Sequence, residues 1–263
     1  MPPLYIAIIL GIIEGMTEFL PVSSTGHLII AGHVLGFVGA KAETFDIVIQ
    51  LGAILAVVVV YWDRFWGLLT PKQNIKFSGK YGIYLLFLTS IPASLLGLLT
   101  HKYIKLYLFS PTTVAWALGA GAVMIIVVES VPKRERISSV DEISPWLAFG
   151  IGCFQCLALW PGFSRSAATI MGGMLLGVKR SVAAEYSFLA AVPIMFAATG
   201  YDFLKNYQLF NSNDLFFLSV GFSVSFLSAW CAIKGFIYLL GKLSLRPFAI
   251  YRLMLVPIIL LFL

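Results

Sequence analysis

The sequence predicts an all-α polytopic membrane protein, with six transmembrane helices plus two re-entrant helix hairpins in an inverted-topology repeat. Three observations carry this reading. Of 263 residues, 60% are hydrophobic and only 11% charged, against about 25% charged in soluble domains; mean hydropathy is +0.94. Two apolar stretches, 4–36 and 146–177, are each broken in the middle by proline and a polar cluster. The second stretch also repeats features of the first.

Taken in order, 4–36 is too long for one span, and each half is short for a span of its own, since crossing takes roughly 20 mostly apolar residues. A helix that enters, turns and returns fits better, because irregular backbone at membrane depth survives where protein or a cavity surrounds it. Apolar stretches at 44–62, 82–100 and 112–131 read as spans. The second broken stretch, 146–177, follows, and then spans at 184–201, 215–240 and 249–263, the last one short. No polar linker divides the chain, so 1–263 reads as a single integral-membrane domain with halves of about 1–135 and 136–263. The N-terminus lacks a basic flank and its apolar run is broken by Glu14 and Glu18, so it is expected to belong to the mature protein. Cys153, Cys156 and Cys231 all lie in apolar segments and read as small buried residues rather than a zinc or redox set.

Basic residues support this order. Arg64, Lys72, Lys76 and Lys80, then Lys133, Arg134 and Arg136, then Lys179 and Arg180, then Lys242 and Arg246 all fall on one face. The other face keeps Lys41, Lys102, Lys105 and Lys205 in its loops. The positive-inside rule makes the first face cytoplasmic and puts both termini outside. Double spans in place of hairpins would give the same parity. The net charge of +6 therefore reports topology, and no nucleic-acid partner is implied.

Offset by 141 positions, Gly11, Ser23, Ile29, Gly32, Leu35 and Gly36 fall on Gly152, Ser164, Ile170, Gly173, Leu176 and Gly177. Glu14 falls on Gln155. A charged loop and a span follow each unit, "AETFDIVIQLGAILAV" in one half and "AEYSFLAAVPIMFAA" in the other. Three spans separate the units, so they enter from opposite faces, as inverted repeats do, with polar sites near the midplane.

Those polar residues are the candidate site. Glu14 and Glu18, at i and i+4, share a helix face. A mid-membrane carboxylate costs on the order of 2.5–3.5 kcal/mol, so the pair calls for a proton, an arginine or a divalent metal. In "PVSSTGH" (21–27), Pro21 ends a half-helix, and Ser23, Ser24 and Thr25 open the next. Singly these hydroxyls could merely cap the helix; together with exposed N–H groups they form an anion site. His27 lies three residues past Ser24 and is a candidate acid or base, whereas His33 and His101 read as structural. In "PGFSRSAAT" (161–169), Ser164, Arg165, Ser166 and Thr169 follow a Pro–Gly break. Arg165 offers a planar fork matched to phosphate oxygens, or a counter-charge for Glu14 or Glu18.

"EGMTEFLPVSSTGH" and "PGFSRSAAT" resemble the two signature motifs of the bacterial undecaprenyl-diphosphate phosphatase family of the bacitracin-resistance type. The similarity extends through "TFDIVIQLGAILAVVVVYW" and "EYSFLAAVPIM". The resemblance implies removal of the terminal phosphate from undecaprenyl diphosphate, a polyprenyl lipid, which regenerates the C55 lipid phosphate carrier for cell-wall synthesis. It also implies dependence on a divalent cation, Mg2+ or Ca2+, and a place in the bacterial plasma (inner) membrane with the active site open to the outer face. A homodimer is left open. Carried onto matching positions, Glu14, Glu18, Ser24, His27 and Arg165 would be catalytic and Glu14 and Glu18 would hold the metal. Ser23, Thr25, Ser164, Ser166 and Thr169 would bind the substrate's phosphates. Whether Ser24 or His27 attacks is not settled by the motifs; Ser24 is the preferred nucleophile. The rival reading is an anion or lipid transporter or flippase that uses the same pocket for binding only.

Cysteine-accessibility labelling tests the topology: positions near Lys72 and Arg134 are expected to label from the cytoplasm and those near Lys102 and Tyr207 from outside. Labelling of 72 or 134 from outside would refute both the charge argument and the inverted repeat.

Overall fold

A computed structural model describes residues 2–71, 75–108, 110–132, 134–206, 214–240 and 244–262. The expectations for Lys72, Lys133, Tyr207 and Lys242 therefore lie outside the described residues. Among the described residues the chain forms eleven α-helices. They are α1 (Leu4–Thr17), α2 (Ser24–Val34), α3 (Ala40–Val60), α4 (Trp62–Leu69), α5 (Gly79–Tyr107), α6 (Pro111–Ser130), α7 (Pro145–Gln155), α8 (Arg165–Leu175), α9 (Arg180–Asn206), α10 (Asp214–Leu240) and α11 (Arg246–Phe262). One isolated bridge, Ile137 to Val178, is the only β-pairing among them.

Five helices are long and apolar enough to cross a membrane: Ala40–Val60, Gly79–Ile104, Pro111–Ser130, Arg180–Tyr201 and Asp214–Leu240. Their surfaces are apolar outward as well, with Leu98 77% and Leu99 79% exposed, a face suited to hydrocarbon. The chain is thus a multi-pass membrane protein. The 17 residues of α11 extend about 25 Å, a little under the ~30 Å hydrocarbon core. Sequence reading ran the first span to residue 62; instead the helix stops at Val60, and Trp62–Leu69 forms a separate short helix with Trp62 and Trp66 stacked.

The two broken stretches fold alike. α1 ends at Thr17 and α2 begins at Ser24, while α7 passes through a 3-10 turn (Cys156–Leu159) before α8 begins at Arg165. The repeated glycines close the second arms. Gly36 and Gly177 have φ of 64° and 87°, a conformation glycine adopts without penalty. This lets Phe37 N–H reach Gly32 O at 2.8 Å and Val178 N–H reach Gly173 O at 2.9 Å, the Schellman ending of a helix.

Packing follows the repeat. α1 lies against α10 and α7 against α5; α10 also lies on α3, α5 on α9, α3 on α9, and α6 on α11. Each first arm thus packs on a long helix of the other half. Small residues allow these approaches: a Cβ at Gly15 would overlap the Ser225 carbonyl, one at Gly52 the Phe222 carbonyl, and one at Gly152 the Thr89 backbone. Ser225 Oγ donates to Ile49 O at 2.7 Å, tying α10 to α3. At the loops, Arg64 pairs with Asp141 at 3.0 Å and Glu185 at 3.5 Å, and Arg180 pairs with Glu129 at 2.9 Å.

Gly15→Val should therefore force α1 off α10 and destabilise the fold by about 1–3 kcal/mol or more, read as a lower midpoint of thermal unfolding in detergent. Gly200→Ala, in α9 with open space around its Cα, should not lower it.

Candidate active site

The site is built where the two helix breaks meet. In each, a serine occupies the N-cap of the second arm with positive φ, Ser23 at 70° and Ser164 at 79°. They are the only non-glycine residues so placed among those described. For an L-residue this conformation costs on the order of 1–3 kcal/mol. Each serine hydroxyl accepts the N–H three residues on, Gly26 at 3.4 Å and Ala167 at 3.3 Å, which offsets part of that cost. The strained caps turn the next residues, Ser24 and Arg165, toward the space between the breaks.

That space is a cavity of about 250 Å³. Glu18, Ser23, Ser24 and Thr25 line it from the first break, and Gln155, Ser164 and Arg165 from the second, with Gln50 from α3. Apolar walls come from α5 and α9, including Ala93, Ile194 and Met195.

Glu18 is the hub. Ser24 Oγ donates to its Oε2 at 2.6 Å, and Arg165 Nη2 donates to its Oε1 at 3.1 Å. One carboxylate thus joins a nucleophile candidate from one half to a guanidinium from the other. Arg165 Nη1 donates to Ser187 O at 3.0 Å, and its Cζ stands 5.6 Å from the Phe19 ring centroid. Its Nε is buried without a protein partner, so a donor remains for an incoming anion.

The other sequence-identified residues take different places. Ser166 donates to Leu20 O at 2.8 Å, joining the two breaks, and contacts Ser164 Oγ at 3.0 Å. Thr169 Oγ1 lies 2.6 Å from Ser187 Oγ and donates to Arg165 O; neither Thr169 nor Ser166 is among the residues that line the cavity. His27 also stands off the cavity, its imidazole held between Ser23 O and the Tyr251 hydroxyl. Glu14 is 1% exposed and both its carboxylate oxygens lack a hydrogen-bond partner.

An orphaned buried carboxylate needs a proton or a cation. Among the described residues no group of three or more His, Cys, Asp or Glu side chains forms a cage. Two carboxylates one turn apart nevertheless fit Mg2+ or Ca2+, since Mg2+ in particular is commonly held by one or two carboxylates with phosphate oxygens and water completing its shell.

Sequence reasoning missed Arg252. It is fully buried in α11, and its guanidinium donates to five backbone carbonyls: Leu118, Pro21, Ala117, Gly162 and Phe163. Pro21 belongs to the first break, Gly162 and Phe163 to the second. The signal was available, because an arginine inside an apolar span is a functional candidate by default. Gln155 and Gln50 were also passed over; the Gln155 amide is fixed by donation from Nε2 to Thr89 O at 3.2 Å, leaving Oε1 buried and unpartnered. Arg252→Leu should orphan several of these carbonyls and lower stability by at least about 3 kcal/mol, measured by denaturation in detergent. It should do so even in protein carrying Ser24→Ala, since the effect does not pass through the hydroxyl.

The family model described as bacitracin resistance protein BacA matches residues 7–258. A protein named undecaprenyl-diphosphatase from Maridesulfovibrio salexigens is 71% identical over 262 residues, covering 100% of this chain and 99% of that protein. Proteins of the same name from Nitratidesulfovibrio vulgaris (64% identical; 98% of each chain) and Lawsonia intracellularis (57%; 97% of each) are similarly matched. With both turn motifs gathered at one cavity and the match running nearly end to end, the chain belongs to the bacitracin resistance protein BacA family.

Proposed function

We propose that the protein is an integral-membrane phosphatase that hydrolyses undecaprenyl diphosphate to undecaprenyl phosphate and inorganic phosphate, recycling the lipid carrier of cell-wall synthesis. The observation that carries the chemistry is the Ser24–Glu18–Arg165 constellation at the meeting of two helix breaks. A serine hydroxyl is a weak nucleophile until a base takes its proton, and Glu18 Oε2 lies 2.6 Å from Ser24 Oγ.

The terminal phosphate enters the cavity beside the N-termini of α2 and α8, where first-turn N–H groups have no intrahelical acceptor. Arg165 swings part of its fork from Glu18 to the phosphate oxygens. Ser24 Oγ forms a bond to the terminal phosphorus as its proton passes to Glu18. The bond to the bridging oxygen breaks, and undecaprenyl phosphate leaves with that oxygen. Glu18 passes that proton to the departing oxygen. Water then attacks the phosphoserine and gives a proton to Glu18. The bond from phosphorus to Ser24 Oγ breaks as Glu18 returns the proton to Oγ and inorganic phosphate leaves. Arg165 and the helix termini stabilise the charge on the transferring group. Glu14 and Glu18 would hold the divalent cation, which supplies charge neutralisation for the phosphate oxygens. Ser23, Thr25 and Ser164 lie close enough to the cavity to bind them too.

In this reading α11 is a sixth span, shortfall met by its flanking residues, and the two broken stretches are re-entrant hairpins. The exchanged packing of α1 on α10 and α7 on α5, with the paired positive-φ serines, supports a two-fold relation between residues 1–135 and 136–263. The protein sits in the bacterial plasma membrane, and its cavity opens to the outer face, where the lipid diphosphate is released. Transport is disfavoured, because holding an anion requires no hydroxyl bonded to a carboxylate.

Purified wild type should release phosphate from C55 diphosphate, and chelator should suppress it. Glu18→Gln and Ser24→Ala should each lower kcat by at least about 10²-fold; Arg165→Lys, which keeps charge but not the fork, should lose most activity. Rapid quench should trap phosphoserine at Ser24. A phosphohistidine at His27 would reverse the assignment of the nucleophile.

A further inference from the structure

The place of His27 does not suit a proton carrier for Ser24. Its Nδ1 lies 2.7 Å from Ser23 O, and its Nε2 lies 2.6 Å from Tyr251 Oη. The imidazole and phenol rings stack with centroids 5.5 Å apart and planes 11° from parallel. A carbonyl oxygen only accepts, so Nδ1 carries a hydrogen; in the neutral ring Nε2 is then the acceptor, and the Tyr251 O–H donates to it. Both ring nitrogens are therefore engaged, neither with Ser24, and His27 is absent from the cavity lining.

What the ring does hold is the carbonyl of Ser23, the residue with φ of 70° immediately before Ser24. Rotation of the 23–24 peptide would swing Ser24 Oγ away from Glu18. The second half sharpens the point. There the matching positions are Ser164, Arg165 and Ala168; the same strained cap forms, with the Ala168 backbone N–H on Ser164 O at 3.0 Å and no side chain in the imidazole's place. The backbone turn does not itself demand a histidine. The half that carries one is the half whose next residue is the hydroxyl bonded to Glu18.

We infer that His27 is a positioning residue rather than an acid or base: fixed as the Nδ1–H tautomer by Tyr251 of α11, it pins the Ser23 carbonyl and thereby aims Ser24 at Glu18. Tyr251 is a positioning residue one step further out. The inference rests on the phosphatase reading above and deepens it. Arg252, the next residue in α11, donates to Pro21 O at 3.2 Å, so one dipeptide grips the first break at two points.

The test compares His27→Asn, whose amide nitrogen can take the Nδ1 position and donate to Ser23 O, with His27→Leu, which cannot. Phosphate release from C55 diphosphate by wild type is measured alongside; an inactive wild type refutes the phosphatase reading itself. Given an active wild type, His27→Asn should remain within about ten-fold of it, while His27→Leu should fall in kcat by on the order of 10²-fold, as small misplacements of reacting groups do, with KM little changed. Tyr251→Phe should lose several-fold in kcat. Equal, deep loss in the Asn and Leu variants would overturn the inference, as would full activity in the Leu variant. Nitrogen-15 NMR of histidine-labelled wild type gives a second reading that needs no variant to fold. His27 should show a protonated Nδ1 and a bare Nε2 at neutral pH, and any other protonation pattern would refute the assignment.

Discussion

Everything at the centre of this protein depends on satisfying the backbone where two helices are broken inside an apolar body. Hydrocarbon offers no hydrogen bonds, so carbonyls freed by a break must find donors within the protein. Arg252 meets that need with one side chain. Its fork reaches Pro21 in the first break, Gly162 and Phe163 in the second, and Ala117 and Leu118 in α6. Among the described residues no carboxylate shares in this set, and carbonyl dipoles hold the guanidinium. Two irregular turns, one from each half of the sequence, are thereby fixed to a common centre.

On that frame, near-symmetry of backbone carries deliberate asymmetry of side chains. The two N-cap serines and the two glycine endings superpose in sequence and in conformation. At matching positions the halves then differ: Ser24 stands against Arg165, Glu14 against Gln155, His27 against Ala168. One half supplies the hydroxyl and the carboxylates, the other the cation. A single symmetric motif could not do this, because two guanidinium groups or two serines facing one another would leave nothing to accept a proton. Glu18 resolves the opposition by bonding both, at 2.6 Å to Ser24 and 3.1 Å to Arg165.

The resting arrangement also keeps its charges quiet. A buried ion pair is stable only when the remaining donors and acceptors are met. Arg165 gives Nη1 to Ser187 and lies against Phe19, while Glu18 has both oxygens engaged. Among the described residues, Arg165 Nε and Gln155 Oε1, on two residues that line the cavity, and both oxygens of Glu14 are buried without a hydrogen-bond partner. Buried polar groups without partners call for a proton, an ion or a ligand to meet them.

Much of this was legible in the sequence, and for definite reasons. Hydropathy and the lipid's lack of hydrogen bonds fix where helices run, so five of the expected spans are present with ends shifted by a few residues. Proline and polar clusters mark the breaks at 18–23 and 160–164, and the glycine offset of 141 marks two endings that only glycine forms cheaply. Pairing of Glu18 with Arg165 could be named as a possibility because opposite charges in an apolar medium must meet. Tertiary structure alone decided which groups touch. Nothing in the spacing of Ser24 and His27 shows that the imidazole turns away toward Tyr251, because that partner lies more than two hundred residues on and arrives through the packing of α11. Nor does spacing show that Ser166 and Thr169 spend their hydroxyls on Leu20 and Ser187. The place of Arg252 follows from the same cause: its carbonyl partners are backbone atoms, invisible to a reading of side chains, and only the folded chain brings five of them to one point.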